Sequence, residues 1–97
     1  MSVKYSGKYR GVVINDNDPM QMGRIQVQVP EAPGLVASTW AMPCVPCNLP
    51  KKAGSALPNV GAAVWIEFEQ GNPDHPIWSG CWFGNTAQTP PALKKRP

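Results

Sequence analysis

Few side chains in this chain could do chemistry, and their spacing supports little of it. Cys44-Val45-Pro46-Cys47 has the Cys-x-x-Cys spacing of a redox pair or of half a zinc site. A redox pair wants its first thiol at a helix start, where the dipole lowers the thiol pKa. Prolines at 43, 46 and 50 deny such a helix. A structural zinc needs four ligands, and only Cys81 and His75 remain to complete a set with Cys44 and Cys47. These four are the candidate metal ligands. The plainer reading is small thiols in loops or core, and no metal or cofactor is expected.

The other reactive groups fare no better. Asp16-Asn17-Asp18 has the opening of a calcium loop, but position 12 falls on Val27 and the central glycine is missing. A turn capped by its own side chains is the expectation there. His75, the single histidine, lies in a turn between Asp74 and Pro76 with no placed nucleophile and no second base. Glu67 and Glu69 share a strand face, where two solvated carboxylates are the ordinary case. No phosphate loop or dinucleotide fingerprint is present. The residues do not describe an enzyme.

What must position them is a β framework. Ninety-seven residues make one modest domain, and twelve prolines and nine glycines leave no room for a long helix. No apolar run approaches the roughly 20 residues that span a bilayer, and the opening MSVKYSGKYRG lacks a signal core. Synthesis inside the cell, with no membrane partner, is the expectation. Residues 1–6 read as a polar leader, 7–85 as the barrel, and 86–97 as an extended Pro-rich basic tail.

Within the barrel, Gly7 to Asn15 predicts the first strand and Arg24-Ile25-Gln26-Val27-Gln28-Val29 the second. The latter turns three β-branched residues inward and three polar residues outward. Thr39 to Met42 predicts a short third strand ended by Pro43. Residues 43–62 form a long irregular loop with four prolines. Val60 to Asn85 then supplies strands four and five, joined by the turn Gln70-Gly71-Asn72-Pro73-Asp74. The resulting fold class is all-β: a five-stranded OB-type barrel, with a long loop between strands three and four. A small SH3-like barrel has the same strand count.

The fifth strand carries the main functional clue. In Pro76 to Phe83, alternation places Ile77, Cys81 and Phe83 on one face, with Trp78 and Trp82 on the other. A strand with bulky apolar groups on both faces needs cover on both. In a chain this small, another chain is expected to supply the second cover. Trp65, Trp78, Trp82 and Phe83 are therefore the expected assembly interface, tryptophan being enriched at interface centres.

Single-stranded nucleic acid is the alternative partner for an OB barrel with exposed aromatics. Charge argues against it. Six basic and six acidic residues balance before residue 94, and the whole excess of +3 is Lys94-Lys95-Arg96. Trp65 is followed by Glu67 and Glu69, and residues 73–85 contain no Lys or Arg. A phosphate chain wants the opposite.

Several segments together carry a family resemblance. They are Gly11-Val12-Val13, Asn17-Asp18-Pro19, Gly23-Arg24-Ile25-Gln26-Val27, Ser38-Thr39-Trp40, Pro58-Asn59-Val60-Gly61 and the run from Val64 to Gly80, with its Glu-Phe-Glu-Gln-Gly-Asn-Pro-Asp-His-Pro core. In this order they resemble the OB-fold domain of contractile-phage baseplate hub and spike proteins, the baseplate assembly protein V and VgrG-like group. The resemblance implies a structural part of the virion tail or baseplate, usually trimeric, between the tail-tube hub and the spike. It brings no catalytic residues. Many members continue into a lysozyme domain or a needle, and this chain ends a dozen residues past the barrel. The expectation is a homotrimeric adaptor that hands a separate spike its attachment surface.

Overall fold

The computed structural model describes residues 4–49 and 57–94. Parts of the long third loop (50–56) and of the basic tail (95–97) therefore lie outside the described residues. Five strands form: β1 (Tyr9–Asn15), β2 (Gln26–Gln28), β3 (Met42–Pro43), β4 (Ala63–Phe68) and β5 (Pro76–Cys81). Among the described residues there is no α-helix, only single 3-10 turns at Glu69–Gly71 and Pro91–Leu93.

The strands run β2-β1-β4-β5-β3 across one curled sheet. Neighbours are antiparallel except β3 and β5, which are parallel. The two sheet edges meet at one point, where Ile25 and Ala41 exchange backbone hydrogen bonds of 3.2 and 2.7 Å. That bridge joins the start of β2 to the start of β3 and turns the sheet into a ring, the Greek-key order of an OB-type barrel. The parallel pair is what strand counting could not supply. Pro43, expected to end the third strand, is instead its last residue. Proline is tolerated on so short an edge, and the next amide, Cys44 N–H, donates to the Trp78 carbonyl at 2.8 Å.

The alternation in β2 turns Ile25, Val27 and Val29 inward as expected, and all three are buried. They meet Val13 of β1, Val64, Ile66 and Phe68 of β4, Ala41 and Trp78. One end of this core is closed by a cluster of Tyr5, Tyr9 and Phe68, with ring centroids 5.2–5.6 Å apart. Tyr5, which the sequence places in a polar leader, also donates its N–H to the Gly71 carbonyl and accepts from Gly34 N–H, both at 2.9 Å.

Gly11 occupies an inward position of β1 between Tyr9 and Val13. A Cβ there would sit 3.0 Å from Ile66 Cγ1 and 3.2 Å from Val29 Cγ2. Gly11→Ala should therefore overpack the barrel and cost about 1–3 kcal/mol, read as a lower midpoint in urea. An unchanged midpoint would show that β1 and β4 separate freely.

The hairpin tip between β4 and β5 is tied by Glu69 N–H to His75 C=O and His75 N–H to Asn72 C=O, at 2.9 and 3.0 Å. Asn72 Oδ1 also accepts from Asp74 N–H. Gln70, at φ 53°, takes the left-handed conformation next to Gly71 at φ 77°.

Candidate functional site

The Asp16-Asn17-Asp18 segment is a capped turn. Asp18 is buried and its carboxylate accepts from the N–H groups of Met20, Met22 and Arg24 at 2.9–3.3 Å. Arg24 closes on it as a fork, Nε to Oδ2 at 3.0 Å and Nη2 to Oδ1 at 2.7 Å. The same guanidinium lies 5.3 Å from the Trp40 ring centre. Arg24, chiefly, and then the backbone N–H donors hold the Asp18 carboxyl far below the usual carboxylate range, against a smaller opposing effect of burial. The group is a structural lock, and the sequence showed only that a turn was needed.

The candidate metal ligands are not gathered. Cys44 and Cys47 follow β3 as free, exposed thiols. Cys81 ends β5 and lines an apolar groove of about 610 Å³ with Met22, Pro43, Leu57 and Trp78. His75 sits at the hairpin tip beside Asn72. Among the described residues no three His, Cys, Asp or Glu side chains lie close enough to hold a metal ion. Glu67 and Glu69 also part company, Glu67 on β4 and Glu69 in the turn that follows.

The tryptophans divide differently from the expectation. Trp78 is only 4% exposed, part of the core, and its Nε1–H donates to the Gly23 carbonyl at 2.9 Å. It therefore does not belong to an outer face shared with Trp82. The cause is a register shift. Val64 and Ile66, two residues apart on β4, face Cys81 and Trp78, three apart on β5. The extra residue lies next to Gly80, at φ +116°, and a bulge of this kind inverts the alternation beyond it. Trp78 stays inside and Trp82 is carried outside.

Outside, Trp82 joins Trp65. Their ring centroids are 6.2 Å apart, and Arg10, opposite Trp65 in the β1–β4 register, places its guanidinium 4.7 Å from one ring centre and 5.6 Å from the other. Stacking of this sort contributes about 0.5–1 kcal/mol at an exposed site. Trp82 Nε1–H is buried without an acceptor, in contrast to Trp78. Exposed Val12 and Ile14 of β1, Val60 and Phe83 extend the aromatic pair into an apolar strip across β1, β4 and the end of β5. The sequence named Trp65, Trp78, Trp82 and Phe83 as an assembly interface; Trp78 lies in the core, the other three lie on this strip, and Arg10, which only the strand register brings to them, was missed.

A family model described as the type VI secretion system/phage-baseplate injector OB domain matches residues 9–83. The search of curated proteins found no match. The matched span runs from the first residue of β1 to just past β5, so it covers the whole ring of strands. The chain belongs to the injector OB-domain family of type VI secretion systems and phage baseplates, a family of structural parts.

Proposed function

We propose that this domain is a structural adaptor of a phage tail or contractile injection baseplate. It sits between the tail-tube hub and a separate spike, and it acts as a homotrimer rather than as an enzyme. The single supporting observation is an apolar strip on the outer sheet face, where exposed Val12, Ile14 and Phe83 flank the half-buried pair Trp65 and Trp82. An antiparallel sheet with one solvated face normally turns polar residues outward, and contiguous exposed apolar surface marks a contact site. Trp82→Ala should leave the barrel folded and weaken self-association by at least about tenfold, the usual loss at a central tryptophan anchor. Light scattering on the purified protein measures it. A wild-type chain that stays monomeric at high concentration counts against the trimer.

A cation beside two indoles is also what a single-strand-binding surface would use. In OB barrels that surface is the β2–β3 side, whereas Arg10, Trp65 and Trp82 lie on β1, β4 and the end of β5. Titration with a labelled oligonucleotide at low and moderate salt separates the two. Binding that survives moderate salt and falls on replacing Trp65 favours nucleic acid.

A further inference from the structure

We infer that neighbouring copies are held in register by a charge pair between Arg10 of one copy and Glu67 of the next. This rests on the trimer reading above and adds the chemistry of the contact. On the outer face, β1 and the residue before it present Lys8, Arg10 and Val12, and β4 presents Ala63, Trp65 and Glu67. The register sets Arg10 opposite Trp65, so Glu67 is its diagonal neighbour, about 7–8 Å away in ordinary sheet geometry. Arg10 does not take it. Lys8 Nζ donates to Glu67 Oε1 at 3.0 Å, and the Arg10 guanidinium lies over Trp82 instead.

Among the described residues Arg10 makes no ion pair, and Glu67 Oε2 accepts no hydrogen bond. Arg10 is therefore a cation without a carboxylate on this face, while Glu67, bound to Lys8 through Oε1, keeps Oε2 open. A planar guanidinium with five donors suits a carboxylate approached edge-on. An uncompensated cation would oppose burial of the strip around it, so the surface that covers the strip must bring an anion. An identical copy brings one. In a cyclic assembly each copy reaches Arg10 toward one neighbour and offers Glu67 to the other. The ring closes with every pair made.

The test uses the full chain, with circular dichroism to verify folding and light scattering to follow mass against concentration. Arg10→Glu and Glu67→Arg should each weaken the trimer at least about tenfold, since each sets like charges against one another in every contact. The double variant R10E/E67R restores opposite charges at every contact and should recover the trimer. Glu67→Gln, isosteric, and Arg10→Gln, shorter but polar, both at exposed side chains, should each weaken it less; they decide the matter if a charge reversal misfolds. Single variants that keep the wild-type mass, or a double variant that stays dissociated, overturn the pair. If Trp82→Ala dissociates the trimer while the charge variants do not, the assembly reading stands and the pair falls. A monomeric wild type overturns both, whether or not it binds the labelled oligonucleotide.

Discussion

Trp78→Ala should leave a chain that is barely folded at room temperature. The indole is the largest buried side chain of β5, and it does two jobs. Its ring fills the barrel among Ile25, Val64 and Ile66, and its Nε1–H ties the Gly23 carbonyl, hence the whole β1–β2 loop, to the core. Truncating a buried aromatic costs about 3–5 kcal/mol, and the Gly23 carbonyl loses its donor as well. A domain of this size has roughly 5–15 kcal/mol in all. Urea unfolding followed by circular dichroism measures the loss, and Trp78→Phe separates the two contributions. The phenyl ring keeps most of the packing and gives up the hydrogen bond, so it should cost less, about 1–3 kcal/mol. A loss below 1 kcal/mol for the alanine variant would mean that Trp78 faces outward in solution.

The second large effect is at Asp18, and it carries a pH signature. Asp18→Asn keeps the size of the side chain but removes its charge, and it turns an amide N–H₂ toward donors that need an acceptor: the Met20, Met22 and Arg24 amides or the Arg24 guanidinium. The folded carboxyl titrates well below the ordinary aspartate value of about 3.9. As pH falls, the unfolded chain therefore takes up the proton first. The stabilisation is complete above about pH 4 to 5 and is lost progressively as pH drops from there toward the folded value. Wild type should exceed D18N by a constant margin from pH 6 to 8, and the margin should shrink below about pH 4. Urea midpoints across that range give the measurement. A margin independent of pH would show that the charge of Asp18 contributes nothing to the fold.

Both predictions concern one corner of the molecule, and it explains how this barrel holds a long loop still. Asp18 organises residues 18–24 from within through three backbone N–H bonds and the Arg24 fork. Trp78 then fastens that loop to the sheet from the far side, 55 residues along the chain. Arg24 extends the connection to Trp40 just before β3. Among the described residues two arginines lie against indoles, and they do opposite things. Arg24 is fully committed to an internal carboxylate, and Arg10 stands on an aromatic bed at the surface with no carboxylate partner among the described residues.

The strands themselves were legible in the residues. Ile25, Val27 and Val29 had to face inward because β-branched and polar residues alternate without a break. Val64, Ile66 and Phe68 did likewise, and Gln70 to Asp74 could only reverse the chain. An all-β chain broken by prolines followed from composition, and so did the neutrality of its body. These properties are local: each depends on a few neighbouring residues and the period of a strand. The face of Trp82, the burial of Trp78, the closing bridge between Ile25 and Ala41 and the meeting of Arg10 with Trp65 are different in kind. Each depends on register between segments far apart in the chain. A single extra residue in β5 inverts every side chain beyond it, and the glycine at position 80 was the only mark of it. The composition and alternation of the chain determined a barrel with too much tryptophan. Only the tertiary pairing decided which indole would hold the barrel together and which would be left outside, because a face is set by partners across the sheet and not by neighbours along it.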